Sequence, residues 1–298
     1  MINDTSRIHI AFLGPKGSYS HIAAKKYANY HFNKITEYSC QNFSDILHVV
    51  ENNQVDYGIL PIENSNSGLI NEVCDLLLTT HLILIGDITI PIQHRILVNN
   101  YNSSLKQIQT IYSHPQPIQQ CSNFLKKFPH WKIILCESSS IAIKKVAYLN
   151  QPNIAALGST QGGIIYGLHP LLLSPYIISN YPLNSTRFII LKNENLLFTN
   201  TTAILEKIML IISIDTKLNK LYSILKILQF YKIKINFLRL CCSLLPNNTT
   251  NSIILEITAH FHHTYTQQAL IKIYNIAYSL KILGCYSTIA YQPYQQYT

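Results

Sequence analysis

Three short polar motifs border apolar runs of the sequence, and their side chains could bind and process a small anionic substrate. The motifs carry, in chain order, Glu63, Asn64 and Ser65, then Ser113 and Gln120, then Thr186, Arg187 and Phe188. Carboxamide and hydroxyl groups both donate and accept hydrogen bonds, and a guanidinium can hold a carboxylate through two parallel hydrogen bonds. Each motif alone is also compatible with a structural role, because Asn and Ser often satisfy backbone groups in loops.

The second motif, 113–120, predicts an anion-binding helix start. Pro117 suits a first helical turn, where its missing N–H costs nothing, and the backbone N–H groups of such a turn attract an anion. His114 could act as a general acid or base, although a structural hydrogen bond is the favoured interpretation of a lone histidine. The segment 14–20 lacks the spacing of a phosphate-binding loop, so nucleotide binding is disfavoured.

Alternating apolar and amphipathic segments place these motifs near the ends of predicted strands. The pattern predicts strands over 8–13, 57–61, 85–98, 108–112, 131–135, 154–157 and 188–191. It predicts helices over 20–32, 44–52, 67–77, 116–128 and 140–149. This alternation is typical of an α/β fold with a largely parallel sheet, in which ligands bind at the carboxyl ends of strands.

The last third of the chain predicts a second domain. Residues 192–202 break the periodicity and are predicted to form a linker. After them the sequence predicts the order β-α-β-β-α-β, with strands over 208–214, 235–240, 253–259 and 287–291 and helices over 220–230 and 267–283. This is the ferredoxin-like order, and two domains agree with a length of 298 residues.

Composition and charge exclude several classes of protein. The chain is 48% hydrophobic with a formal net charge of +9, so it can form a large core and suits an anionic substrate. Its Lys and Arg residues are scattered, which disfavours nucleic acid. No apolar run is long enough for a transmembrane helix, and the N-terminus lacks a signal-peptide core, so we expect a cytoplasmic protein. The seven cysteines have no zinc-binding spacing, so no metal is expected.

Taken together, the motifs resemble the prephenate dehydratases, in particular the dehydratase and regulatory parts of the bacterial bifunctional chorismate mutase–prephenate dehydratases. The matching stretches are 10–21, 61–65 with Gly68, 113–121, 155–159 and 186–188. Several independent motifs in one order make this resemblance specific from about residue 8 to 192. The β-α-β-β-α-β order resembles the ACT domain that follows the dehydratase in that family.

The resemblance implies both a fold and a reaction. It implies a two-lobed, periplasmic-binding-protein-like dehydratase domain over 8–192 with its site in the cleft, followed by an ACT domain over 203–298. It implies conversion of prephenate to phenylpyruvate, with loss of carbon dioxide and water and without a cofactor, in phenylalanine biosynthesis. It also implies a homodimer or higher oligomer.

The resemblance assigns roles to the motif residues. It makes Thr186 the main catalytic group, acting on the departing hydroxyl, and gives Glu63 a supporting role. Asn64 and Gln120 match further catalytic positions, and the positions matched to substrate binding are Ser65, Ser113, Arg187 and Phe188.

Two departures from the family pattern lead to further expectations. The first predicted strand begins at residue 8, so no mutase activity is expected. The Gly-Ala-Leu and Glu-Ser-Arg-Pro motifs that bind phenylalanine in related ACT domains are missing from 217–222 and 239–244, so we expect phenylalanine to bind weakly or not at all.

Three alternatives remain open at this stage. An arogenate dehydratase would act on the amino analogue of the same substrate. A two-lobed solute-binding module would have a similar architecture, but it would lack the motif at 186–188 and would normally carry a signal peptide. An inactive relative is disfavoured by the intact site motifs.

Overall fold

The computed structural model describes residues 7–171, 178–193, 206–215, 219–242 and 250–289. Within these ranges the chain forms a mixed α/β structure with three sheets. No helix in this part of the chain has both the length and the apolar composition needed to span a membrane.

Most of the strands and helices precede residue 193. The strands are β1 (Ile8–Leu13), β2 (Ile35–Cys40), β3 (Tyr57–Asn64), β4 (Gly68–Leu69), β5 (Ile83–Pro91), β6 (His94–Val98), β7 (Thr110–Ser113), β8 (Lys132–Leu135), β9 (Ile154–Ser159), β10 (His169–Pro170) and β11 (Ser185–Lys192). The helices are α1 (Tyr19–His31), α2 (Phe43–Glu51), α3 (Asn71–Thr79), α4 (Pro115–Gln120), α5 (Ser122–Leu125), α6 (Ser139–Leu149) and α7 (Thr160–Ile165).

The remaining elements follow residue 205. The strands are β12 (Glu206–Asp215), β13 (Lys234–Cys242), β14 (Thr250–Ala259), β15 (Ser279–Tyr286) and β16 (Thr288–Ile289). The helices are α8 (Asn219–Phe230) and α9 (Thr264–Ile276). Strands β12 to β15 and the two helices reproduce the predicted β-α-β-β-α-β order.

The first two sheets are mixed, because each contains both parallel and antiparallel strand pairs. One has the order β16-β5-β11-β3-β1-β2, with β4 paired to β3. The other has the order β10-β6-β9-β7-β8. In the second sheet β7 runs parallel to β8 and β9, whereas β6 runs antiparallel to β9 and β10. The sequence analysis predicted one strand where the structure has β5 and β6. The antiparallel pairing of β6 is one reason why the second sheet is mixed.

The third sheet is antiparallel, with the order β13-β14-β12-β15. Isoleucines and leucines at alternating positions of β12 and β14 are fully buried and form one core with Ile224 and Leu228 of α8 and Ile273 of α9. Every second residue of a strand lies on the same face. This alternation is why these strands could be predicted from the sequence. The strand order and the two helices are those of a ferredoxin-like fold.

The loop between β1 and α1 is held by hydrogen bonds within its own chain segment. Gly17 has φ +88, a left-handed conformation that favours glycine. Its N–H donates to Nδ1 of the buried His21 at 3.0 Å, and the side chain of Ser18 caps α1 by accepting from the His21 N–H at 3.1 Å. The motif at 14–20 therefore positions the start of α1.

Three element predictions before residue 130 were wrong in their bounds. The strand predicted over 85–98 is two strands in different sheets, β5 and β6, separated by Ile92 and Gln93. The helix predicted over 116–128 is interrupted at Cys121, and the helix predicted from 67 begins only at Asn71, because Gly68 and Leu69 pair with β3. The edge strand β2 was not predicted at all.

The largest error concerns the helix predicted over 267–283. Helix α9 ends at Ile276, and β15 begins at Ser279. Pairing of β15 with the distant strand β12, which sets Leu280 opposite Ile212, overrides the local apolar pattern. Of the strand predicted over 287–291, the structure describes 287–289, of which Thr288 and Ile289 pair with β5.

The chain divides into two compact units. The first comprises Met1–Ile46, Ile59–Leu69 and Thr89–Phe188, and the second comprises Leu47–Gly58, Ile70–Ile88 and Ile189–Thr298. The domain boundaries predicted at 192 and 203 stay a prediction. Most of the predicted linker lies outside the described residues, as do 217–218 and 243–244 of the two altered ACT motifs.

Candidate active site

Asn64 and Thr186 meet where two neighbouring strands of the first sheet border the site. Asn64 is the last residue of β3, and Thr186 is the second residue of β11. The Asn64 Nδ2 group lies 2.9 Å from Thr186 Oγ1, 2.8 Å from Asn184 Oδ1 and 3.0 Å from the Ser185 carbonyl oxygen. Asn64 and Thr186 are both buried, so these hydrogen bonds are strong contributors to local order.

The backbone fixes the orientation of the Asn64 carboxamide. Its Oδ1 accepts from the backbone N–H groups of Asn66 at 3.0 Å and Ser67 at 3.1 Å. A backbone N–H can only donate, so this side of the carboxamide is the oxygen and the opposite side is the NH₂ group. Thr186 Oγ1 therefore accepts a hydrogen bond from Asn64, and its own O–H can still donate.

Two amides extend this chain of hydrogen bonds toward the second sheet. Because Asn184 Oδ1 accepts from Asn64, its Nδ2 group lies on the other side and donates to Gln120 Oε1 at 3.3 Å. Asn184 is 1% exposed. The structure thus brings together Asn64, Gln120 and Thr186, which were all predicted to be site residues. The residue that links them, Asn184, was not predicted to belong to the site.

The chain of hydrogen bonds ends at a buried histidine. His94, the first residue of β6, places Nε2 2.8 Å from Gln120 Oε1. Burial lowers the pKa of the His94 imidazole from its usual value, against the opposing effect of the hydrogen bond to Gln120. The neutral imidazole is therefore favoured near neutral pH. On its other side, Tyr19 Oη lies 3.5 Å from Nδ1 and donates to the Gln93 carbonyl oxygen at 3.0 Å.

Charged residues adjoin Asn64 and Thr186 in the sequence. Arg187 Nη1 and Glu63 Oε2 are 4.0 Å apart, and the Arg187 side chain is 12% exposed. Among the described residues no cluster of three or more His, Cys, Asp or Glu side chains could hold a metal ion.

The other predicted site residues have different surroundings. Ser65 joins the two motifs, because its N–H donates to the Ser185 carbonyl oxygen at 2.9 Å and its Oγ accepts from the Ser185 N–H at 3.0 Å. Ser113 is fully buried, and its Oγ lies near the carbonyl oxygens of His114 and Leu157, at 3.1 and 3.4 Å. Ser113 is therefore not part of the chain of hydrogen bonds that contains Asn64. Phe188 is 1% exposed and is packed in the interior.

Sequence reasoning missed Asn184 and His94. Asn184 stands two residues before Thr186, so its place in the same motif was a usable indication. His94 follows Pro91 closely at a strand break, and nothing nearby in the sequence points to Gln120. All residues of this buried hydrogen-bond chain belong to the first unit. The fold and the hydrogen-bond chain are those expected of an α/β enzyme with a preorganised polar site.

Comparison with known proteins identifies the family. Residues 10–196 match the family model for prephenate dehydratase. The chain is 42% identical over 277 residues to the bifunctional chorismate mutase/prephenate dehydratase of Enterobacter agglomerans, covering 93% of this chain and 70% of that protein. It is 43% identical over 291 residues to the protein of the same name from Buchnera aphidicola subsp. Acyrthosiphon pisum, covering 96% and 72%.

Solved structures agree in fold. The prephenate dehydratase of Arthrobacter aurescens in complex with L-Phe superposes with a TM-score of 0.80 at 21% identity, covering 94% of this chain and 90% of that one. The prephenate dehydratase of Staphylococcus aureus superposes with a TM-score of 0.78 at 22% identity, covering 94% and 100%.

The chain belongs to the prephenate dehydratase family. Its activity is that of a prephenate dehydratase, a hydro-lyase with a small-molecule substrate.

Proposed function

We propose that Thr186 assists departure of the ring hydroxyl of prephenate while the neighbouring polar side chains hold the substrate. In this reaction the bond from the ring to its carboxylate breaks and releases carbon dioxide. The electron pair of that bond moves into the ring, the carbon–oxygen bond to the hydroxyl breaks, and the ring becomes aromatic. The departing hydroxide takes a proton from solvent, so prephenate yields phenylpyruvate, carbon dioxide and water.

The single observation that carries this proposal is the hydrogen bond from Asn64 Nδ2 to Thr186 Oγ1, 2.9 Å long. It occupies a lone pair of the hydroxyl and leaves the O–H as a donor. A hydroxyl that accepts one hydrogen bond becomes a better donor, because hydrogen bonds in a chain polarise one another. Negative charge develops on the departing oxygen, so a fixed donor aimed at it lowers the barrier.

Arg187 and Gln120 are proposed to bind the substrate carboxylates. The Arg187 guanidinium supplies a fork that matches a carboxylate, and Glu63, 4.0 Å away, restrains it. The Oε1 atom of Gln120 already accepts from Asn184 and His94, so its NH₂ group is oriented as a donor. Ser65 is proposed to hold the segment before Thr186, and Phe188 to support the site by packing rather than by contact with the substrate.

The choice of substrate is tested by comparing two molecules. Purified protein is incubated separately with prephenate and with arogenate, and phenylpyruvate and phenylalanine are quantified by chromatography. We expect a higher kcat/KM for prephenate. A higher kcat/KM for arogenate would identify the chain as an arogenate dehydratase, and no turnover of either would favour a binding module or an inactive relative.

The proposal extends to regulation and assembly. We propose an ACT domain over 203–298 that binds phenylalanine weakly or not at all, within a cytoplasmic homodimer or higher oligomer. In the stretch that matches the glycine turn of related ACT domains stand Asn219 and Lys220, and Lys220 Nζ lies 3.5 Å from Asp215 Oδ2 and over the Tyr278 ring. These side chains occupy space that a glycine would leave open.

A further inference from the structure

His94 is buried at the far end of the hydrogen-bond chain from Thr186, and no motif of the sequence selected it. Its side chain is 4% exposed. Buried polar groups in proteins are normally hydrogen-bonded. His94 Nε2 lies 2.8 Å from Gln120 Oε1.

The direction of every bond in the chain follows from two backbone N–H groups. Those of Asn66 and Ser67 fix Asn64, Asn64 fixes Asn184, and Asn184 directs its NH₂ group at Gln120 Oε1. An amide oxygen only accepts. Nε2 of His94 therefore carries the proton, and the NH₂ group of Gln120 lies on the side away from His94 and Asn184.

We propose that His94 is a positioning residue for the dehydration, which through its Nε2–H bond to Gln120 Oε1 holds the Gln120 amide with its NH₂ group toward the substrate. The inference rests on the proposed function, because it assigns to Gln120 the binding of a substrate carboxylate. Without the histidine, the bond from Asn184, 3.3 Å long, is the one that still holds Gln120 Oε1 among the described residues. Rotation of the amide by half a turn would then present an oxygen, rather than two donors, to an anionic substrate.

The surroundings of His94 suit a neutral imidazole protonated at Nε2. Tyr19 donates its hydroxyl proton to the Gln93 carbonyl oxygen at 3.0 Å, so Tyr19 Oη, 3.5 Å from Nδ1, makes at most a weak bond to the ring. The Nε2 side thus carries the connection to the site. The lowered pKa that burial gives this imidazole is consistent with that protonation state.

The tautomer can be measured on the unaltered protein. Nitrogen-15 NMR of histidine side chains separates a protonated Nε2 from a protonated Nδ1, and the His94 signal is assigned by its loss in His94→Gln. We expect Nε2 protonated and Nδ1 bare at neutral pH. A protonated Nδ1 with a bare Nε2 would overturn the proposal without any variant having to be active.

Three variants test the effect on catalysis. His94→Gln can supply an N–H donor near the Nε2 position, His94→Leu cannot, and Tyr19→Phe is the matched control on the Nδ1 side. We expect kcat/KM for prephenate to fall roughly 100-fold in His94→Leu, the scale of a small misplacement of a substrate-binding group. His94→Gln should recover most of that loss, and Tyr19→Phe should stay near the unaltered protein. Equal losses in His94→Gln and His94→Leu with retained thermal stability would contradict the proposal.

A double-mutant cycle tests whether His94 acts through Gln120. If it does, adding His94→Leu to Gln120→Leu should change kcat/KM by less than about threefold, because residues that act through one contact are not additive. Full additivity of the two losses would refute a positioning role. If the unaltered protein turned over no prephenate, the proposed function would be wrong. The NMR measurement of the His94 tautomer would still show whether His94 donates to Gln120, because it does not depend on turnover.

Discussion

Replacing Thr186 by valine removes the hydroxyl and keeps the shape of the side chain. The structure predicts little loss of stability, because Asn64 Nδ2 has two hydrogens and three acceptors, Asn184 Oδ1, the Ser185 carbonyl oxygen and Thr186 Oγ1. Without the hydroxyl, two acceptors still match two hydrogens and no donor is left unsatisfied. The cost to the free energy of unfolding should therefore be about 0.5–1.5 kcal/mol, the net value of one hydrogen bond.

The effect on turnover should be much larger. Loss of a fixed donor to a developing negative charge costs roughly 10²–10³ in kcat, which corresponds to about 2.7–4 kcal/mol of transition-state stabilisation. Thr186→Ser keeps the hydroxyl and serves as the matched control. Phenylpyruvate formation is followed by its absorbance in alkali, and thermal unfolding of each variant is recorded alongside. A valine variant within threefold of the unaltered protein would refute the assignment of Thr186.

Three further predictions concern binding, regulation and pH. Arg187→Lys keeps the charge but loses the guanidinium fork, so KM for prephenate should rise more than kcat falls; an unchanged KM would mean that the carboxylates are held elsewhere. Phenylalanine titrated into the dehydratase assay and into a calorimeter should give weak or no inhibition and binding, whereas submillimolar inhibition with measurable binding would contradict the loss of the effector site. Because the folded-state pKa of His94 is lowered by burial, the unfolded chain binds this proton at higher pH than the folded protein does. The His94 contribution to stability should be complete above pH 6.5 and lost as the pH falls below it, so thermal melts of His94→Gln should depend less on pH in that range; identical pH dependence would contradict this.

Elements with a clear apolar period could be predicted from the sequence, and elements that depend on distant partners could not. Strands β12 and β14 alternate buried isoleucine and leucine residues with a period of two, so local pattern and final structure agree. The segment after Ile276 has no glycine or proline to stop the apolar pattern until Gly284. It becomes the strand β15 because it pairs with the edge of β12. That partner strand lies some 70 residues earlier in the sequence, so local pattern does not indicate it.

The candidate site shows the same limit. Asn64 and Thr186 were selected because each belongs to a recognisable motif, and the structure sets them 2.9 Å apart. Asn184 and His94 were missed because their role lies in contacts with Asn64 and Gln120, 120 and 26 residues away in the sequence. Residue type and local spacing indicate which groups can do chemistry, but hydrogen-bond partners across two sheets are set only by folding.

The most direct test of the central claim measures both products of the reaction. Purified protein is mixed with prephenate at neutral pH, and phenylpyruvate and carbon dioxide are quantified against a sample without enzyme. We predict equimolar formation of the two products by the unaltered protein and by Thr186→Ser, with roughly 10²–10³ slower formation by Thr186→Val. Product formation by the unaltered protein no faster than in the sample without enzyme would contradict the account.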